Sequence, residues 1–332
     1  ITCLDLFCGA GGSSEGARQA GCEIVGAVDA WDMAIATYRD NHPRAEAIQA
    51  CIGDGFDFDR LQGFRGVDLI LASPECTMHS QARRGAPDVA SLEQPFLVLP
   101  FIDRLKPRWV VVENVVRLRQ WTRYREFLGA LSGRGYHIKE EVLDSADFGV
   151  PQARRRLFVL ADRERLPPVV QPPGGKVQTA SSILADEGVY PLLPLRIPGR
   201  ATNTVERVNN AIWIQETFNR AIGIDQATHW HPFLLTYYGN DAHGYQSIDR
   251  PLRTVTTVNK FLLVVSGQDG PWVRMLQPVE YQAAMGFPST YRFERGTIRQ
   301  RIRMLGNGVC PPVMQAIVKA LVSPRPKGTL PY

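Results

Sequence analysis

The feature that most constrains this chain is a set of short apolar runs that end abruptly in loops: Ile1 to Phe7, Val67 to Ala72 broken only by Asp68, and Val110 to Val112. Runs this short and this uniformly apolar are buried on both faces, which is the condition of strands in a parallel sheet covered by helices. Helical spacing of apolar residues follows them, from Ser13 to Ala20, Leu92 to Leu105 and Val116 to Leu131. Strands that alternate with helices predict an α/β architecture, and an open α/β sheet keeps its chemistry at the carboxyl ends of its strands. Those ends carry a glycine-rich turn, Asp5-Leu6-Phe7-Cys8-Gly9-Ala10-Gly11-Gly12; a Pro-containing loop, Ser73-Pro74-Glu75-Cys76; and an acid, Glu113-Asn114.

Composition sets outer limits. At 332 residues, with 44% hydrophobic and 21% charged, the chain is an ordinary globular protein of more than one lobe. No apolar run approaches the roughly 18 residues that would span a bilayer. Six cysteines are scattered without a CxxC pair, which argues for reduced thiols in a cytoplasm and against structural zinc. The net charge of +5 tolerates a polyanion without requiring one. Only six of the 38 basic residues are Lys, so 38 − 6 = 32 are Arg. Arginine forks onto phosphates and guanine edges, although a general bias toward Arg, Ala, Gly and Pro explains the excess equally well.

The glycine turn is not GxGxxG and no Walker lysine follows it, so it reads as a nucleotide-binding turn of another kind. A second strand, Cys22 to Val28, ends in Asp29-Ala30-Trp31-Asp32, where an acid suits a ribose diol. Phe7 and Trp31 are placed to sandwich an adenine. A third strand near Ala47 to Cys51 leads to Gly53-Asp54-Gly55-Phe56-Asp57, whose acids, Asp54 first among them, suit an adenine amino group. A free cysteine is most often a small buried hydrophobe, but the loop around Cys76 and the acid ending the next apolar strand point to a reactive thiol. Strands at Tyr136 to Val142 and Leu157 to Leu160 are joined through Arg154-Arg155-Arg156, at least one of which should reach the catalytic edge. Pro167 to Gly175 marks a linker. The segment from Val177 to about Arg250 interleaves aromatic and polar residues, as a nucleic-acid surface assembled from loops would. Val279 to Met285 reads as a helix, and Leu305 to Pro312 opens a last helix ending near Leu321.

With these stretches in this order, the chain resembles the DNA cytosine-5 methyltransferases over nearly its whole length. The glycine turn looks like the family's S-adenosylmethionine loop, which implies cofactor contacts at Gly9, Gly11 and Gly12. Ser73-Pro74-Glu75-Cys76 looks like its nucleophile loop, and Ser80 matches a family serine four residues on. Glu113-Asn114-Val115 resembles its acid motif. Gln152-Ala153-Arg154-Arg155-Arg156 resembles Gln-x-Arg-x-Arg, which implies Arg154 and Arg156 at the substrate and Gln152 beside the DNA. Gly306-Asn307-Gly308-Val309 resembles the closing motif, with Asn307 toward the cofactor. The departures are Glu75 and Thr77, where the family has Pro and Gln, a variant similar to phage and bacterial enzymes. The family's ribose-binding acid falls at Ala30, leaving Asp29 or Asp32 to replace it.

The resemblance implies a Rossmann-like S-adenosylmethionine-dependent methyltransferase sheet with a smaller target-recognition lobe. Residues 1–172 would form the large lobe, 173–296 the recognition lobe, and 297–332 a segment completing the large lobe. It implies Cys76 as nucleophile toward cytosine carbon 6, Glu113 as acid at ring nitrogen 3, and methylation of carbon 5 of a flipped base, without a metal. Double-stranded DNA and a cognate restriction endonuclease are the implied partners of a monomeric cytoplasmic protein, with no membrane. A tRNA cytosine methyltransferase and a catalytically silent DNA-binding relative share the fold; a Rossmann oxidoreductase is disfavoured by the missing GxGxxG.

Overall fold

The structure is a computed structural model that describes residues 1–74, 93–221, 230–237, 244–267 and 269–324. Seven strands, β1 (Thr2–Leu6), β2 (Glu23–Asp29), β3 (Glu46–Gln49), β4 (Leu69–Ala72), β5 (Trp109–Asn114), β6 (His137–Asp144) and β7 (Arg155–Asp162), form one sheet. Their order is β3-β2-β1-β4-β5-β7-β6. β1 to β5 are parallel, and β7 inserts antiparallel to both β5 and β6.

Alternation along each strand feeds two apolar layers. Leu69 and Leu71 of β4 join one layer with α1 (Gly12–Gln19) and α2 (Asp32–Asn41), whereas Ile70 and Ala72 join the other with α3 (Leu99–Leu105) and α4 (Tyr124–Ser132). Coverage of both faces is why the strand sequences are apolar without alternation. The strand order reverses between β1 and β4, which puts the glycine turn and the Ser73-Pro74 loop side by side at the switch point of the sheet. The α/β expectation is met.

Two expectations about elements change, and one helix was not foreseen. The helix foreseen from Val116 to Leu131 is a 3-10 turn over Val116–Gln120 followed by α4. Trp121 between them is extended at ψ 132°, which turns its ring into the core, edge-on to Phe96 at 5.6 Å. The last helix lies where the sequence puts it, at Pro311–Val322 (α8), but a helix not foreseen, Ile298–Asn307 (α7, following α5 at Thr202–Ala221 and α6 at Pro278–Ala284), precedes it; Thr297 and Gln300 form a capping box at the start of α7. Ile298–Val322 is jointly as long and apolar as a membrane span, yet it breaks after Asn307, and Ile302, Leu305, Ile317 and Val318 are buried in the layer under β4.

The small lobe is not an assembly of loops. Strands β8 (Leu193–Pro194), β9 (Phe233–Thr236), β10 (Tyr245–Ser247), β11 (Phe261–Gly267) and β12 (Gly270–Met275) make an antiparallel sheet, backed by the 20-residue α5 (Thr202–Ala221). Val208 and Ala211 of α5 pack with Phe233, Leu235, Leu262 and Val264. The helix α6 (Pro278–Ala284) leads back to the large lobe. Asn41 exchanges hydrogen bonds with the backbone of Arg292, and Arg295 pairs with Asp40 at 2.7 Å.

β1 ends on a fully buried acid. The Asp5 carboxylate accepts from Ser14 N at 3.1 Å and Ser14 Oγ at 2.7 Å, and burial raises its pKa from 3.8 to about 7. Nearby His42 is also buried, which lowers its pKa from 6.5 to about 4. Folding therefore favours the neutral form of both groups. The stability contributed by protonated Asp5 is complete below pH 3.8 and lost as pH rises through about 7; that contributed by neutral His42 is complete above pH 6.5 and lost as pH falls toward 4. Between about pH 4 and 6.5 the two slopes oppose. Asp5→Asn is expected to gain stability relative to the wild type with rising pH, and His42→Gln to lose it, each by about 1.4 kcal/mol per pH unit. Denaturant titrations across that window check this, and variant curves parallel to the wild type would contradict it.

Candidate active site

The glycine turn is held by its own conformation and by β2. Phe7 and Gly9 have φ of 55° and 52° and Gly11 of 91°, a left-handed path that curls the backbone over the end of β1. Gly12 permits close packing: a Cβ there would lie 2.2 Å from the Val309 carbonyl, so α1 could not lie against the Gly306–Val309 motif with any larger residue. Asp29, ending β2, accepts from the Gly9 amide at 2.8 Å through one oxygen and from the Trp31 amide at 2.8 Å through the other. One carboxylate thus ties the loop of Phe7 to the loop of Trp31. Trp31 is half-buried and carries the Arg303 guanidinium over its ring at 4.8 Å. Asp32 is exposed and spends an oxygen on the Met33 amide at 2.7 Å. Asp54 lies in an exposed turn and Asn307 at the exposed end of α7.

The second part of the site lies at the ends of β4 and β5. Ser73 N donates to the Leu6 carbonyl at 3.1 Å, and Asn114 Nδ2 donates to the Pro74 carbonyl at 3.1 Å, which fixes the chain as it leaves the sheet. Cys76 and Ser80, the expected nucleophile and its neighbouring serine, lie outside the described residues, as does Glu75. Glu113, the penultimate residue of β5, is buried, and Arg156 Nε lies 3.2 Å from its Oε1. Burial raises the Glu113 pKa above the ordinary glutamate value, against the opposing pull of Arg156, Arg154 and the Ser73 hydroxyl. The antiparallel pairing of β5 with β7 brings the two side chains together, since Glu113 stands opposite Phe158, two residues from Arg156.

Two residues expected at the substrate, Gln152 and Arg154, are buried and hydrogen-bonded to backbone groups. Gln152 is fully buried: its amide donates to the Ala284 carbonyl at 3.0 Å, and its oxygen accepts from Val255 N at 2.7 Å. Arg154 is buried, and its guanidinium donates to the carbonyls of Val255 at 2.9 Å, Gly306 at 2.8 Å and Gly308 at 3.0 Å. Both side chains bind the strand before β7 to Leu252–Val255 and to the Gly306–Val309 motif. Sequence reasoning named Asn114 only as part of a motif and passed over its clamp on Pro74; an amide following a strand-end acid was the available signal.

A parallel-centred sheet thus carries a glycine turn at one strand end, an acid at another and a C-terminal motif packed on that turn. Residues 1–323 match the model of the C-5 cytosine-specific DNA methylase family, and the chain belongs to that family. It is 26% identical over 314 residues to the Type II methyltransferase M.HgiDI of Herpetosiphon aurantiacus, covering 92% of this chain and 89% of that protein. It is 27% identical over 197 residues to the human tRNA (cytosine(38)-C(5))-methyltransferase, covering 57% of this chain and 48% of that one. The fold is similar to that of the S. pombe Dnmt2 methyltransferase, with a TM-score of 0.65 and 18% identity over 97% of this chain and 98% of the other.

Proposed function

We propose that this chain methylates carbon 5 of cytosine in a specific sequence of duplex DNA, using S-adenosylmethionine and a covalent bond from Cys76 to carbon 6. The observation that carries the reading is the buried Glu113–Arg156 pair at the end of β5, beside the chain entering the Cys76 loop at Pro74.

The residues present fit the cofactor. A Cβ on Gly9 would meet nothing within 4 Å, so the loop is open above that glycine, and the rings of Phe7 and Trp31 are only half-buried. Phe7 and Trp31 would hold the adenine, Gly9 to Gly12 the methionine portion, and Asp29 the ribose, with Asp54 and Asn307 at the exposed margins. Asp29 is preferred to Asp32 because it sits at the junction of both loops, whereas Asp32 is exposed beyond them with an oxygen on the Met33 amide. When bound, S-adenosylmethionine supplies the electrophilic methyl group that carbon 5 takes.

The remaining chemistry belongs to the chain. Cys76, as thiolate, adds to carbon 6 and pushes the ring electrons toward carbon 5. Glu113, whose burial favours its protonated form, donates a proton to ring nitrogen 3, which relieves the charge the addition creates. Arg156 faces the carbonyl oxygen at carbon 2. Arg154 acts one step back, as a positioning residue that holds the closing motif against β7. After methylation a base removes the carbon 5 proton, the double bond re-forms, the Cys76 thiolate is expelled, and Glu113 recovers its proton. None of this is possible in stacked DNA, so the base must leave the helix.

The Type II methyltransferase name of the Herpetosiphon relative supports DNA as the substrate; a monomeric cytoplasmic enzyme that protects sites from a cognate restriction endonuclease completes the proposal. The human relative keeps tRNA as the second reading. Incubation with methyl-labelled S-adenosylmethionine and either duplex DNA or tRNA separates them. Label is expected in DNA as 5-methylcytosine at one recurring sequence; label in tRNA alone would overturn the substrate assignment.

A further inference from the structure

Beneath the glycine turn lies a polar cluster that the chemistry above does not use. His42, at the end of α2, stacks against Tyr38 with ring centroids 4.6 Å apart and meets Tyr291 edge-on, with its Nε2 3.2 Å from Tyr291 Oη. Tyr291 Oη donates to the Ala10 carbonyl at 2.5 Å, inside the turn itself. On the other side, Tyr38 Oη lies 2.7 Å from Ser14 Oγ, which donates to Asp5. The turn is thereby gripped from two directions, by β1 and α1 through Ser14 and by a residue 281 positions away through Tyr291.

The grip is tight at one glycine. A Cβ on Gly11 would stand 2.5 Å from Tyr291 Oη, 3.0 Å from Tyr38 and 3.1 Å from His42. Tyr291 is itself anchored independently of the turn. Gln282 donates to its carbonyl at 2.8 Å, and the side-chain amide of Asn41 donates to the carbonyl of the next residue, Arg292, at 2.9 Å and accepts from its N–H at 2.7 Å. Its hydroxyl is therefore a fixed donor. It selects the orientation of the Ala10 carbonyl, and with it the path of Gly9 to Gly12.

We infer that Tyr291, backed by His42, is a positioning residue for S-adenosylmethionine: its hydroxyl sets the shape of the cofactor turn without touching the cofactor. The inference rests on the reading of that turn as the cofactor loop. A buried hydrogen bond of this kind contributes about 0.5–1.5 kcal/mol, so Tyr291→Phe, which keeps the ring, removes a two- to tenfold share of cofactor affinity.

The test is calorimetric and kinetic on the full chain. Tyr291→Phe should raise the Kd and KM for S-adenosylmethionine two- to tenfold, while kcat at saturating cofactor and the KM for DNA stay at wild-type values. Gly11→Ala supplies a second measurement: it should weaken binding much more in the Tyr291 background than in the Tyr291→Phe background, because the hydroxyl it strikes is gone. A Tyr291→Phe protein of lowered thermal stability but unchanged cofactor affinity would show a merely structural hydroxyl and overturn the inference. Equal Gly11→Ala losses in both backgrounds would do the same. A wild-type protein without affinity for S-adenosylmethionine would overturn the cofactor reading, and the inference with it.

Discussion

Glu113→Gln is expected to slow methyl transfer by about 10²- to 10⁴-fold, the share a positioned general acid contributes. Glutamine keeps the size of the side chain and an acceptor for Arg156 but has no proton to give to ring nitrogen 3. Affinity for DNA and for S-adenosylmethionine should change little, so the loss falls on kcat. The wild-type enzyme should also show a pH limb that the variant lacks. Burial raises the Glu113 pKa, so the catalytic proton is fully present at low pH and is lost as pH rises through that raised value. Single-turnover rates across pH check both points. A Glu113→Gln protein with wild-type rate, or one that retained the alkaline limb, would remove Glu113 from the chemistry.

The sheet was legible because burial on both faces leaves a nearly continuous apolar signature at β1, interrupted by Asp5, and at β4 and β5, and because Glu113 interrupts that signature at the strand end. The elements that escaped reading bury few residues for their length. Among the 20 residues of α5 only Val208 and Ala211 are buried, and α7 carries its apolar spacing, Ile298, Ile302 and Leu305, through a run dense in arginine. The spacing of Gln152, Arg154 and Arg156 identifies a motif but not which members face the cleft. Gln152 and Arg154 precede β7 and are captured by backbone groups of Leu252–Val255 and Gly306–Val309, contacts that local sequence cannot announce. Tyr291 was invisible for the same reason, since its partner Ala10 lies at the far end of the chain.

Cys76→Ser is expected to abolish turnover, because an alcohol is far less ionised than a thiol at neutral pH and adds to carbon 6 correspondingly poorly. DNA binding should survive, since the contacts that position the duplex are made by other residues. Asn114→Ala, which frees the Pro74 carbonyl ahead of Cys76, should weaken the same step less severely. The loss in Cys76→Ser therefore isolates the covalent step from binding and from the shape of the loop. The most direct measurement replaces hydrogen with fluorine at carbon 5 of the target cytosine. Methylation can then proceed, but the proton whose removal would release Cys76 is missing, so enzyme and DNA should remain joined. The account predicts a denaturant-resistant complex that requires S-adenosylmethionine and maps by peptide sequencing to Cys76; an adduct at Cys8, Cys51 or Cys310, or efficient turnover with no adduct, would contradict it.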